Sequence, residues 1–259
     1  MPSITQTLVN RPVWFDLSTT DLAAAKALYG ELFGWTFVDS GPEMGHYTMA
    51  MANGQPAAAL APKMPGQEGG PVAWTVYFGV TDADATAAAI VANGGSLMFP
   101  PMDVPGNGRM ALATDAGGAV FGLWQATGFP GARVEGEHGA MCWSEVASRN
   151  PANAAFYEAV FGLHSHQLEI PGHDYRTLHL PTALNPADAV AGVMLMDEHW
   201  EGIPPHWLPY FAVANLEAAN AVWAKHGGTI VRGPIPSPYG RIMIVRDPQG
   251  GTMAYMSGG

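Results

Sequence analysis

Two acidic residues stand out for the company they keep. Asp16 comes two positions after Trp14, and Glu145 two positions after Trp143. In an extended strand, residues two apart face the same side, so each carboxylate shares a face with a tryptophan. A carboxyl group set among apolar rings loses hydration, and its pKa rises toward the range of a general acid or base. The same placement also suits a wall in which the carboxylate only accepts backbone or tyrosine hydrogen bonds. Further along, Thr75 and Tyr77 share a face, and on a matching stretch His206, Leu208 and Tyr210 do. Trp124 shares parity with Gly122. Asp16 and Glu145 are therefore the candidate proton-transfer groups. Trp14, Thr75, Tyr77, Trp124, Trp143, His206 and Tyr210 are the candidate ligand-lining residues. Trp14, Trp124 and Trp143 suit core packing equally well, while concave apolar sites favour planar or hydrophobic ligands.

The elements that must hold these residues occur twice. Residues 14–37 (WFDLSTTDLAAAKALYGELFGWTF) match 143–165 (WSEVASRNPANAAFYEAVFGLHS), with Tyr29-x-x-x-Phe33-Gly34 over Tyr157-x-x-x-Phe161-Gly162. Downstream, Trp74 to Gly95 matches Trp207 to Gly228. Each copy continues through a Pro-rich stretch, a Gly-Arg pair, an apolar strand and an Asp-x-x-Gly turn, Asp115 to Gly118 and Asp247 to Gly250. Within a half, a strand, a helix and shorter strands recur as the hydrophobic period switches between two and 3.6. Thr20-Asp21 and Asn150-Pro151 read as helix starts, and Gly34 and Gly162 as left-handed stops. The expected organisation is a module over 12–126, a linker over 127–139 and a second module over 140–257. Each module holds two β-α-β-β-β units, an α+β fold.

In this reading Val13, Phe15 and Leu17 pack beneath the helix, as do Cys142, Ser144 and Val146. Cys142 is then an inert, packed thiol. Arg109 and Arg241 are placed to hold an anionic ligand group or to tie down a neighbouring loop. Of nine histidines, His164 and His166 face one side of a strand without an evident third ligand, and His226 suits the end of its helix. Pro105-Gly106-Asn107-Gly108 is a turn with no phosphate-binding lysine.

Composition removes several classes of function. The chain has 259 residues, 22 Asp+Glu against 11 Lys+Arg, and one cysteine. A net charge of −11 offers no basic field for nucleic acid. One cysteine excludes an internal disulfide and a multi-cysteine metal site. No apolar run reaches the roughly 18 residues of a membrane span, and Met1 to Trp14 lacks the pattern of a secretory signal. The expectation is a cytoplasmic small-molecule protein, a monomer or homodimer with neither nucleic-acid nor membrane partners.

The four units, with Trp-x-Asp/Glu, Tyr-x-x-x-Phe-Gly and Asp-Pro-x-Gly motifs, resemble the vicinal oxygen chelate superfamily of glyoxalases, extradiol dioxygenases and fosfomycin- and bleomycin-resistance proteins. The resemblance spans roughly residues 12–257 and looks most like the tandem, glyoxalase-like branch that includes a mycobacterial culture-filtrate antigen. It implies two cup-shaped sheets. In metal-using members the cups carry His, Gln or Glu ligands at fixed motif offsets. Those offsets fall here on Trp14, Thr75 and Gly122, and on Trp143, Leu208 and Ala254, none an ordinary ligand for first-row ions. The ligand position near Ala57 to Ala61 or Val190 to Met196 is not fixed by motif. No metal and no cofactor are therefore expected.

Should the first and fourth units share a cup, as in swapped members, Asp16 and His206 would converge as an acid–base pair or a residual metal site. The expected function is metal-independent binding of a hydrophobic or aromatic small molecule, of the resistance or sequestration type. The alternative is a glyoxalase-type lyase or isomerase that uses Asp16 or Glu145 as base on a carbonyl substrate, with Arg or Tyr groups steadying the enolate. A ring-cleaving dioxygenase would need two His and one Glu facing one cup, which the sequence does not assemble.

Overall fold

The computed structural model describes residues 8–258, the side chains of Pro186 and His199 excepted. The first unit comprises β1 (Pro12–Thr19), α1 (Leu22–Phe33), β2 (Thr36–Asp39), β3 (Thr48–Ala52) and β4 (Gln55–Pro62). The second comprises β5 (Ala73–Gly79), α2 (Ala83–Ala92), β6 (Ser96–Val104), β7 (Gly108–Thr114) and β8 (Val120–Ala126). The third comprises β9 (Met141–Ser148), α3 (Asn153–Phe161), β10 (His164–Ile170), β11 (His173–His179) and β12 (Ala189–Leu195). The fourth comprises β13 (His206–Ala212), α4 (Leu216–Lys225), β14 (Thr229–Ser237), β15 (Gly240–Arg246) and β16 (Thr252–Ser257). No helix among the described residues is long and apolar enough to cross a membrane.

Local chemistry sets the helix ends. Asp21, Asp82 and Asn215 accept the backbone N–H groups of Ala24, Ala85 and Ala218, the N-cap geometry. Gly34 and Gly162 close α1 and α3 at φ 68° and 64°. The start of α3 differs from expectation. Asn150 Oδ1 instead accepts the N–H of Ala152 in a turn through Pro151, and the helix begins at Asn153. The side-chain oxygen of Asn150 is used within its own turn, so it leaves the first helical N–H groups alone.

Two eight-stranded sheets result, ordered β2-β3-β4-β1-β5-β8-β7-β6 and β10-β11-β12-β9-β13-β16-β15-β14. In each unit the first strand runs parallel to the last. The units of a half join through one antiparallel pair, β1 with β5 and β9 with β13. The first unit thus shares its sheet with the second, and the swapped arrangement, with units one and four in one cup, does not occur.

One continuous core lies between the convex sides of the sheets. β5 rests against β13, α1 beside α4 and α2 beside α3. Phe78 stacks on Phe161 at 4.5 Å, and Trp74 meets Phe211 at 5.2 Å. The repeated motifs meet here. Asp247 Oδ1 accepts the N–H groups of Gln249 and Gly251 within its turn, while Oδ2 accepts the hydroxyl of Tyr29 from the other half at 2.8 Å. Asp115 does the same with Gly117, Ala119 and the Tyr157 hydroxyl, at 2.7 Å. Buried carboxylates need such complete sets of partners. The Tyr and Asp-x-x-Gly motifs are therefore reciprocal clasps between halves, and the tyrosine hydroxyls are pushed up by burial and by the facing carboxylates.

Candidate functional site

The concave faces hold the two carboxylates in nearly the same constellation. In the first hollow, Asp16 Oδ2 accepts the hydroxyls of Tyr47 at 3.1 Å and Tyr77 at 3.0 Å. The Tyr47 oxygen itself accepts the indole N–H of Trp14 at 2.7 Å. In the second hollow, Glu145 accepts Tyr175 on Oε2 at 2.9 Å and Tyr210 on Oε1 at 2.7 Å. Tyr175 accepts the indole N–H of Trp143 at 2.9 Å. Each hollow is thus a relay from indole to tyrosine to carboxylate, with a second tyrosine donating from the neighbouring strand.

Strand register explains the convergence. Trp14 lies opposite Tyr77 and Asp16 opposite Thr75; Trp143 lies opposite Tyr210 and Glu145 opposite Leu208. Tyr77 lies beside Gly122 on β8, where an added Cβ would sit 2.0 Å from its ring. Gly192 likewise leaves space for Tyr175, whose hydroxyl would lie 2.0 Å from a Cβ there. These two glycines let each ring lie flat across the sheet and reach its carboxylate.

Burial raises both carboxyl groups. Asp16 is pushed up to about 6 by desolvation, opposed by hydrogen bonds from Tyr77, Tyr47 and Thr75 that favour the ionised form. Asp16 keeps part of its surface open to the hollow, yet rings enclose its carboxyl. Glu145 is shifted upward for the same reason, and His173, when protonated, acts in the opposite direction. His173 is two residues before Tyr175 on β11 and faces the same side.

Most of the lining residues named from sequence meet here. Trp14, Tyr77 and Trp124 form the buried floor of the first hollow, with Thr75 beside Asp16. Leu208, Tyr210 and Trp143 line the second. His206 stands apart. It is opposite Ala147 at the far end of β13, with Nδ1 2.9 Å from the Pro204 carbonyl and its ring near Trp200, and burial lowers its pKa. Because β1 and β13 belong to different sheets, Asp16 and His206 do not converge.

Two residues were misplaced by strict alternation. The register slips between Pro12 and Trp14 and between Tyr210 and Phe211, so Val13 and Cys142 pack with the hollows instead of under the helices. An extra residue in a strand resets the parity behind it. The Cys142 thiol is pushed up to about 12 by burial, which keeps it inert on the side where it lies.

Tyr47 and Tyr175 were missed. Both sit at matched places after the first helix of their half, α1 or α3, but the loops before them differ and hide the match. Arg109 binds Asp84 and Asp103, and Arg241 binds Glu217, so these arginines tie their own neighbourhoods. His166 and buried His179 meet edge to face at 4.8 Å, and His226 binds Glu31 at 2.8 Å. A surface hollow of about 400 Å³ beside Arg149 presents little chemistry, because that guanidinium is engaged by the Ile203 and Trp200 carbonyls.

The donor set does not fit the ion that metal-using relatives hold. The counted positions carry an indole, a threonine hydroxyl and a glycine in one hollow, and an indole, a leucine and an alanine in the other. The Tyr77 ring also covers Gly122. Among the described residues no three His, Cys, Asp or Glu side chains group so as to hold an ion.

A family model described as the Glyoxalase/Bleomycin resistance protein/Dioxygenase superfamily matches residues 11–123 and 146–254. CFP32 of Mycobacterium tuberculosis (strain CDC 1551 / Oshkosh) is 41% identical over 256 residues, covering 96% of this chain and 95% of that protein. The anthracycline biosynthesis protein DnrV of Streptomyces peucetius is 35% identical, covering 92% and 90%. In fold, the chain is similar to the Mn(II)-bound glyoxalase from Novosphingobium aromaticivorans. The TM-score is 0.66 at 16% identity, over 96% of this chain and 82% of that one. It is also similar to the 2,3-dioxygenase LapB from Pseudomonas sp. KL28, with a TM-score of 0.64 at 14% identity over 98% and 93%. With its four units, two curled sheets and matched halves, the chain belongs to the glyoxalase/bleomycin resistance protein/dioxygenase superfamily.

Proposed function

We propose that this protein binds an apolar or aromatic small molecule in a ring-lined hollow and does so without a metal ion. The observation that carries this reading is the duplicated relay of indole, tyrosine and carboxylate on the concave faces, its two indoles, Trp14 and Trp143, standing where the resemblance implies a first metal ligand. Rings supply stacking surface, and the carboxylate supplies a polar anchor that fixes orientation. The anthracycline biosynthesis name of one relative agrees with a planar aromatic ligand. Titration of the protein with a library of aromatic compounds is expected to quench tryptophan fluorescence saturably. An absence of quenching across the library defeats the proposal.

A second reading is favoured by Asp16, whose carboxyl burial pushes up to about 6. A base near the working pH, flanked by tyrosine hydroxyls, suits proton abstraction beside a carbonyl in a lyase or isomerase. Asp16 and Glu145 would take the proton, and the tyrosines would steady the developing oxyanion. Asp16→Asn and Glu145→Gln are then expected to lose turnover while remaining folded. Turnover that survives both substitutions removes the carboxylates as bases.

A further inference from the structure

The two hollows differ at one corner. In the first, Phe129 from the segment between the halves stands edge-on to Trp14 at 4.8 Å and near Trp124 at 6.1 Å. Its backbone carbonyl accepts the Trp124 indole N–H at 2.7 Å. The plug is held in place, since the Asn107 carbonyl accepts the N–H groups of Thr127, Gly128 and Phe129. Trp14, packed in the cluster that Phe129 joins, is 4% exposed. Phe129 thus occupies this corner as a ligand would, with an aromatic ring against the indole and an oxygen on an N–H donor.

In the second hollow no residue of that segment belongs to the cluster around Trp143, which consists of Leu208, Tyr210, Ala254, Cys142, Ile242 and Ile244. The place of Trp124 is taken by Met256, as the parallel pairs Gly79 with Trp124 and Ala212 with Met256 show. Trp143 is half-buried. Beneath it, Glu145 receives one tyrosine on each oxygen, which leaves lone pairs for a further donor.

Resting on the binding reading above, we infer that the hollow around Trp143 and Glu145 is the working one. It takes an uncharged planar aromatic ring bearing a hydroxyl, while Phe129 fills the corresponding corner of the first hollow from within. The ring packs on Trp143 as Phe129 packs on Trp14, and the hydroxyl donates to Glu145. An anionic group in that place would meet the carboxylate and be disfavoured.

The full chain labelled with 5-fluorotryptophan and followed by fluorine NMR tests this with 1-naphthol as probe. The Trp143 and Trp14 signals are assigned by Trp143→Phe and Trp14→Phe. The Trp143 signal is expected to shift with one-site saturation while the Trp14 signal stays still, and 1-naphthoate is expected to bind at least about tenfold more weakly. Phe129→Ala is expected to make Trp14 respond as well and to raise the stoichiometry from one to two. Should that variant not fold, Trp143→Ala carries the test, with at least about a tenfold loss of affinity for 1-naphthol expected. A Trp14 shift matching or preceding that of Trp143 in the unaltered chain overturns the assignment and leaves the binding proposal standing. So does a folded Phe129→Ala protein in which Trp14 stays silent, or a Trp143→Ala protein with undiminished affinity. Binding at neither hollow overturns both.

Discussion

The Tyr77 hydroxyl reaches Asp16 Oδ2 at 3.0 Å only because the neighbouring position on β8 is Gly122, over which its ring lies. A carboxylate on one unit is held by a phenol from the next, across the single antiparallel seam that joins them. The site and the sheet junction are one construction, so changes at the seam should register at the carboxyl group.

Gly122→Ala places a Cβ where the Tyr77 ring now lies. The ring must move, and overpacking of this kind costs on the order of 1–3 kcal/mol. Loss of the Tyr77 donor also withdraws a bond that favours ionised Asp16, so its pKa should climb above the present value of about 6. Urea unfolding and NMR titration of Asp16 check the two effects. A variant with unchanged stability and titration would mean that the ring does not depend on the glycine.

The raised Asp16 pKa has a definite sign for stability. The folded protein holds this proton more tightly than the unfolded chain, whose carboxyl titrates near the ordinary 3.8. The contribution is fully present below that value and is lost as pH rises through about 6. Asp16→Asn removes the dependence. Its stability relative to the unaltered protein should therefore improve between pH 4 and 7, by on the order of 1–3 kcal/mol. Both tyrosines donate to one oxygen of Asp16, so an Asn carbonyl can keep both bonds. Glu145 uses a different oxygen for each tyrosine, and Glu145→Gln must turn an amide N–H toward one of them. The Gln variant should accordingly lose about 1–2 kcal/mol relative to the Asn variant. Denaturant unfolding at several pH values measures both differences, and equal behaviour of the two variants would contradict the geometry.

Tyr157→Phe should loosen the clasp between halves. It removes the hydroxyl that donates to Asp115 and accepts the Trp207 indole N–H at 2.9 Å. Asp115 retains Asn153, at 2.8 Å, but the indole loses its acceptor. The expected cost is about 1–3 kcal/mol in unfolding free energy, with the hollows intact. Tyr157→Phe combined with Asp115→Asn should cost less than the sum of the two, because they share one interaction. Full additivity would show that the clasp contributes nothing as a pair.

Much of this protein is written locally. The duplication, the four units, the helix stops at Gly34 and Gly162 and the pairing of Trp14 with Asp16 and of Trp143 with Glu145 follow from spacing, because helical and strand periods are properties of adjacent residues. The tertiary structure decided the rest. It brought Tyr47 and Tyr175 onto the carboxylates from loops and strands whose register no motif marks. It used one-residue slips to turn Val13 and Cys142 toward the hollows, and it set β13 in the sheet opposite Asp16, which separated His206 from it. Strand partners and bulges depend on contacts between distant segments, where a shift of one residue reverses every side chain. The Tyr29 to Asp247 and Tyr157 to Asp115 clasps show the same division of labour. The motifs were plain in the sequence, but their meeting across the halves exists only once the convex faces have packed together.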